Sequence, residues 1–242
     1  MKLSHNKILI TGGASGIGLG LAERFAKNHN TVIVCGRRED VLRQATARVP
    51  GLITRRCDLA LAAEREALHR WVAAEHPDLD VLVNNAGIQQ WMNPADQDFY
   101  ERARSEITVN VETPLHLTSL FLDLTSLTTI MNVTSGLAFV PFHKVPVYSA
   151  TKAFFRSFTL SLRYLLQPRG IEVIEVIPPA LNTDLGGKGL HDHAPPIGEF
   201  IESIFAQLRE GKLELTFGFT EALTEAGQDV LQPIFARFNP PR

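Results

Sequence analysis

The sequence predicts an α/β fold: a single domain over residues 1–242, built on a doubly wound parallel sheet of about seven strands with helices on both faces. Three observations lead there. Short continuous runs of Val, Ile and Leu alternate with longer segments of helical periodicity, the pattern of strands buried on both faces. The first such run is followed at once by a glycine-rich turn and then a helix. A chain of 242 residues, 45% of them hydrophobic, suits one large core without requiring a second domain.

In chain order, "KILIT" (7–11) opens the sheet, and "GIGLGLAERFAKN" (16–28) is the helix after it. "TVIVC" (31–35) is a β-branched second strand, and "EDVLRQATARV" (39–49) reads as a helix. "LITRRC" (52–57) and "DVLVN" (80–84) are the third and fourth strands, with a helix at 61–76 between them. A long helical stretch covers about 98–123, "TTIMNVT" (128–134) is the fifth strand, 148–167 a helix, and "IEVIEVI" (171–177) the sixth strand. Pro114 falls inside the long stretch. It has no N–H for the Asn110 carbonyl, so a kink there is expected to free that carbonyl toward Lys152 or a water; the alternative is a kink that only adapts the helix to its neighbours. Beyond residue 177 comes a Gly- and Pro-rich run, 183–196, without periodicity. It is expected to form a mobile substrate loop at about 184–198. A helix near 197–210, a seventh strand near 213–217 and a short helix with a frayed tail in "LQPIFARFNPPR" complete the chain.

Composition excludes several functions. A net charge of −2 without a basic stripe argues against nucleic acid as a partner. The amino-terminal apolar run breaks at Thr11, so it is neither a signal peptide nor a membrane span. Cys35 and Cys57 are too few for a disulfide framework, which points to a reduced, cytoplasmic setting. His191 and His193 flank Asp192 without a third credible ligand, so no metal site is expected.

"TGGASGIG" (11–18) sits between the first strand and first helix, with Gly12, Gly16 and Gly18 spaced G-x-x-x-G-x-G. Glycines there permit a tight turn and close backbone approach, and a helix amino terminus holds pyrophosphate. The spacing is not G-x-G-x-x-G, but the turn stands between strand and helix at the head of a βαβ unit, as in a Rossmann-type sheet. After the second strand come Gly36, Arg37 and Arg38, with no acid before Glu39. Arginine at this turn suits a 2′-phosphate, so NADP is the expected cofactor, with NAD as the second candidate. The alternative is that Arg37 and Arg38 are ordinary solvated charges.

"YSATKAF" (148–154) places Tyr148 four residues before Lys152 on a helix, about 5–6 Å apart at Cβ. Alone, this spacing is equally a structural Tyr with a snorkelling Lys. With the glycine turn, "NNAG" (84–87), Asn110, Ser135 and "PPALNT" (178–183) in the same order, the chain resembles the short-chain dehydrogenase/reductase family over roughly residues 6–183. "PPALNTDL" and the "FARFN" tail further resemble bacterial oxidoreductases encoded beside D-alanylation genes.

The resemblance implies a catalytic set of Asn110, Ser135, Tyr148 and Lys152. It implies cofactor contacts from Gly12, Ser15, Gly16, Ile17, Gly18, Arg37, Arg38, Asp58, Leu59, Asn85, Ala86, Gly87, Pro178, Leu181 and Thr183, shared with Tyr148 and Lys152. Two alternatives stay open: Asp58 as an N-cap for the helix near Leu61, and Thr183 as a loop cap. Ser15 and Pro179 depart from the family pattern, which commonly has a base in NADP-using members and a glycine at these places.

The implied chemistry is hydride transfer between nicotinamide and a small carbonyl or alcohol. A tyrosine titrates near ~10, so an acid useful at neutral pH needs its pKa lowered by roughly three units, about 4 kcal/mol. A lysine cation ~5 Å away contributes on the order of 3 kcal/mol at an effective dielectric near 20, which makes Lys152 the largest expected contribution. Trp91, Phe139, Val140, Phe142, His143 and Leu185 are candidate pocket residues, each equally readable as packing. The competing readings are a non-catalytic NADP(H) sensor on the same fold, a sugar-nucleotide epimerase or dehydratase, and a serine hydrolase. The third lacks a G-x-S-x-G elbow. The helices near 98–123 and 148–167 are apolar nearly all round, which implies a homodimer or homotetramer formed through them.

Overall fold

The computed structural model describes residues 1–240. Its strands are β1 (Lys7–Thr11), β2 (Thr31–Gly36), β3 (Ile53–Arg56), β4 (Val81–Asn84), β5 (Thr129–Val133), β6 (Glu172–Ile177) and β7 (Glu214–Thr216). They form one sheet in the order β3-β2-β1-β4-β5-β6-β7, and every neighbouring pair is parallel. The helices are α1 (Gly16–Lys27), α2 (Glu39–Arg48), α3 (Ala62–Glu75), α4 (Phe99–Ile107), α5 (Thr113–Phe121), α6 (Pro146–Leu166), α7 (Ile197–Arg209) and α8 (Gln228–Phe238).

Strand pleating divides the core. Ile8 and Ile10 of β1 face one side with Leu21 and Phe25 of α1, Leu42 of α2, and Phe200 and Phe205 of α7. Leu9 faces the other with Leu68 and Val72 of α3, Phe121 of α5 and Leu162 of α6. Both faces of the sheet are therefore covered, which is why its strands read as unbroken apolar runs. The order reverses between β1 and β4, so the crevice at their carboxyl ends is the ligand position of this architecture. Cys35 and Cys57 are both buried, free thiols.

Three expectations need correction. The 98–123 stretch is not one α-helix, because a π-helical turn, Thr108–Glu112, separates α4 from α5. The wider turn moves the hydrogen-bond ladder by one residue, and Thr113 N reaches Thr108 O. Pro114 then lies in the first turn of α5, where its missing N–H costs little, rather than in a helix interior. α6 starts at Pro146, before Tyr148, because proline suits a first helical turn. The 184–198 loop ends at Pro196, since α7 begins at Ile197. The expected frayed tail includes Pro241 and Arg242, which lie outside the described residues.

No helix among the described residues is long and apolar enough to cross a membrane. Ile107, Phe154, Leu160, Tyr164 and Leu165 leave apolar surface exposed on α4 and α6.

Candidate active site

The glycine turn is locked to β4 by hydrogen bonds. Thr11 Oγ1 donates to Val83 O at 3.2 Å and accepts from Asn85 N and Ala86 N at 2.9 and 3.0 Å. Asn85 Nδ2 donates to Thr11 O at 2.9 Å and Gly12 O at 3.3 Å. The Asn85 side chain thus holds the turn itself. Gly12 and Gly16 have φ of 63° and 54°, a region that favours glycine. A Cβ on Gly18 would stand 2.5 Å from Asn85 Nδ2 and 2.6 Å from Gly12 O. Across the crevice, Thr183 Cγ2 lies 3.7 Å from where a Gly16 Cβ would be, so the turn and the 178–183 segment face each other. Ser15 precedes α1 as its exposed N-cap residue, and Ile17 lies in the first turn.

At the next turn, Cys57 N donates to Gly36 O at 3.0 Å, placing Asp58 and Leu59 beside Arg37 and Arg38. Both arginines are exposed, and neither forms an ion pair among the described residues. Glu39 and Asp40 occupy the first turn of α2, where negative charge is favoured. Asp58 does not cap α3, whose N-cap residue is Leu61. Its Oδ1 instead accepts from Ala60 N at 3.1 Å, because the chain turns before the helix starts. Leu59 O is held by Arg65 Nη1 at 2.6 Å and Thr113 Oγ1 at 2.7 Å, a support that sequence reading missed.

The proposed catalytic side chains meet at the carboxyl end of β5. Ser135 and Tyr148 are buried, and Lys152 Nζ lies 5.6 Å from the Tyr148 ring centroid. Lys152 Nζ donates to Val133 O at 2.8 Å. It does not take the Asn110 carbonyl, as the kink at Pro114 had led us to expect. Asn110 acts through its side chain: Oδ1 accepts from Ile88 N at 2.9 Å, and Nδ2 donates to Ile88 O at 2.9 Å and Thr151 Oγ1 at 3.1 Å. Gly87 lies before this pair, since a Cβ there would be 3.3 Å from Asn110 Oδ1 and 3.7 Å from Lys152 Nζ. Ser135 Oγ accepts from Leu137 N at 3.1 Å, which fixes the turn after β5. Gly136 N donates to Pro178 O at 3.0 Å, tying that turn to the end of β6. Leu181 is buried, and Thr183 Oγ1 accepts from Leu185 N at 3.4 Å, the geometry of a loop cap.

The electrostatics correct one expectation. Tyr148 is not lowered by Lys152; burial pushes its hydroxyl well above the usual tyrosine range. A hydrogen bond with Ser135 pulls down and the Glu106 charge pushes up. Burial also brings Lys152 down to about 8. Desolvation disfavours both charged forms at once, and at this depth it outweighs their pairing.

The apolar candidates separate. Val140 is packed inside, and Phe139 lies under the Arg156 guanidinium at 4.1 Å. Trp91 stays half exposed, with Lys144 Nζ 4.7 Å from its ring centroid. α8 covers this side, and Asn239 Oδ1 accepts from His143 N at 2.7 Å while its Nδ2 donates to Pro141 O at 3.0 Å. Between α8 and the 139–141 segment is a cavity of about 150 Å³ lined by Phe139, Val140, Leu231 and Phe235. A larger cavity, about 270 Å³, lies at the amino ends of the strands among Met1, Asp80 and Glu172, away from these residues.

Residues 6–193 match the family model for short chain dehydrogenase. The chain is 40% identical to the uncharacterized oxidoreductase DltE of Bacillus subtilis, over 99% of this chain and 98% of that one. It is 31% identical to the NADP-dependent 3-hydroxy acid dehydrogenase YdfG of Salmonella typhimurium, over 71% of each. A short chain dehydrogenase from Burkholderia cenocepacia, solved in complex with NADP, superposes with a TM-score of 0.85 at 25% identity over the full length of both chains. Given this match along most of its length, the chain belongs to the short-chain dehydrogenase/reductase family.

Proposed function

We propose that the protein is an NADP(H)-dependent oxidoreductase that interconverts a small carbonyl compound and its alcohol, with Tyr148 as the general acid/base. The observation that carries this reading is the convergence of Ser135, Tyr148 and Lys152 at the end of β5, beside the glycine turn that ends β1. The cofactor, when bound, supplies or accepts the hydride. Tyr148 gives its hydroxyl proton to the oxygen of the reduced substrate and takes it back in the reverse direction. Ser135 orients that oxygen by donating to it. Lys152, with a pKa of about 8, is mainly cationic at neutral pH and binds the nicotinamide ribose hydroxyls. Gly12, Gly16 and Gly18 present the start of α1 to the pyrophosphate, and Arg37 pairs with the 2′-phosphate. The NADP dependence of relatives and the NADP-bound neighbour support that choice. The exposed apolar faces of α4 and α6 support association as a homodimer or homotetramer.

NADPH and NADH oxidation measured across ketones, aldehydes and quinones tests this reading. Wild type should bind NADP more tightly than NAD, and Arg37→Ala should remove a preference worth roughly 1.5–3 kcal/mol. Equal affinities in wild type would contradict the role of Arg37.

A further inference from the structure

We propose that the cavity between α8 and residues 139–141 is the substrate's side-chain site, and that it takes an uncharged apolar group of about phenyl size carried by the carbonyl compound. The inference rests on the reaction proposed above and names the class of its substrate.

Position is the first argument. The 139–141 segment hangs on the turn after Ser135, where Phe139 N and Val140 N both donate to Gly136 O, at 3.1 and 3.4 Å. The 218–222 turn presses on the same residue. A Cβ on Gly136 would stand 2.9 Å from Thr220 Cγ2 and 3.0 Å from Phe219 Cζ. Three rings continue from there. Phe219 meets Phe238 of α8 edge-on at 6.2 Å between centroids, and Phe238 meets Phe142 in the same way at 6.4 Å. Phe142 N donates to Ser149 Oγ at 3.2 Å, one residue beyond Tyr148. α8 is therefore fastened between the segment that carries Ser135 and the helix that carries Tyr148, and the cavity lies on the face that α8 turns toward residues 139–141.

Size and chemistry supply the second argument. Phe139, Val140, Pro141, Leu231 and Phe235 line a volume of about 150 Å³. An apolar cavity of about 150 Å³ admits a benzene ring. The two polar lining residues, Gln228 and Gln232, are exposed on α8, so water satisfies their amides. No lining residue is charged. Arg156 lies against the Phe139 ring, 4.1 Å from its centroid, but is committed to Glu175 at 2.5 Å and Glu214 at 3.7 Å. It braces the wall and leaves no free cation for an anionic group. A carboxylate placed here would lose its water without gaining a partner. α8 has no fully buried residue, so the apolar side chains it directs at the cavity remain for a ligand to cover.

The test compares NADPH-dependent reduction of acetaldehyde, phenylacetaldehyde and succinic semialdehyde, which carries a carboxylate. In wild type kcat/KM should be roughly tenfold to 150-fold higher for phenylacetaldehyde than for acetaldehyde, the value of fully burying a side chain of that size. Succinic semialdehyde should not share the gain. Leu231→Trp, which fills the cavity from α8, should abolish the gain and leave acetaldehyde within about twofold of wild type. Equal values for phenylacetaldehyde and acetaldehyde in wild type overturn the proposal, as does an equal gain for succinic semialdehyde or a gain that survives in Leu231→Trp. The cavity is also tested without turnover. With leucine methyls labelled with carbon-13, toluene should shift the Leu231 signals saturably, assigned by their loss in Leu231→Met. Unmoved Leu231 signals overturn the proposal even if Leu231→Trp fails to fold. A protein that reduces no aldehyde while toluene still moves Leu231 defeats the proposed reaction and leaves the apolar site standing, so the two failures are distinguishable.

Discussion

On the amino-terminal side of the crevice, Thr11, Gly12 and Asn85 interlock through bonds of 2.9–3.3 Å that involve the main chain at every step. On the carboxyl-terminal side, residues 183–196 form no regular element, and Gly186, Gly187 and Gly189 all carry positive φ. α8 reaches the 141–143 segment through the side chain of Asn239. The first side is specified by what a backbone can do without a Cβ, which leaves few substitutes. The second is specified by side chains at the surface, which can change without disturbing the sheet. We propose that the first side holds the cofactor and the second selects the substrate.

The sharpest way to break that contrast is Gly18→Ala. The new methyl would meet Asn85 Nδ2, Gly12 O and Gly13 Cα at 2.5, 2.6 and 2.9 Å, and two of these are backbone atoms that cannot swing away. Overpacking of this kind costs about 1–3 kcal/mol of stability, and NADPH affinity should fall by roughly 100-fold or more. Isothermal titration and thermal melts check both, and an unchanged affinity would mean that the turn is not rigid.

A second probe compares stability across pH. Glu106 is raised from 4.5 to about 7 in the folded chain. The unfolded chain therefore loses this proton first as pH rises. The stability it contributes is complete below pH 4.5 and is lost by about pH 7. Relative to wild type, Glu106→Gln should gain stability across that window, on the order of 3 kcal/mol at most. Urea melts at the two ends measure it, and a constant difference between the two proteins would contradict the assignment.

The smallest effect belongs to the substrate side. Asn239→Ala removes the exposed hydrogen bonds of this side chain to His143, Pro141 and Phe235, worth about 0.5–1.5 kcal/mol each. KM for the carbonyl should rise threefold to tenfold on this basis, while NADPH affinity stays unchanged. A loss of cofactor affinity would show that the two sides are not separate.

Much of this arrangement was legible in the sequence. The strands announced themselves because burial on both faces demands unbroken Val and Ile, as in "TVIVC" and "IEVIEVI". Ser135, Tyr148 and Lys152 were legible because spacing along one helix and at a strand end survives folding directly. Three features were not. The π turn at Thr108–Glu112 depends on where the hydrogen-bond ladder shifts, and Pro114 hinted only that something must give. The direction of the Tyr148 shift depends on how deeply α6 is buried, which the Tyr–Lys spacing does not encode. "RSEIT" gives no sign that Glu106 is fully buried with one oxygen unpartnered, because that depends on how α4 packs.

The most direct test of the account is Tyr148→Phe, assayed for NADPH binding by fluorescence and for carbonyl-dependent NADPH oxidation under saturating cofactor. The ring still packs and only the proton donor is lost, so affinity should stay within about twofold while turnover falls more than tenfold, at least 1.4 kcal/mol of barrier. Turnover above about a tenth of wild type would remove Tyr148 from the acid/base role and with it the proposed reaction.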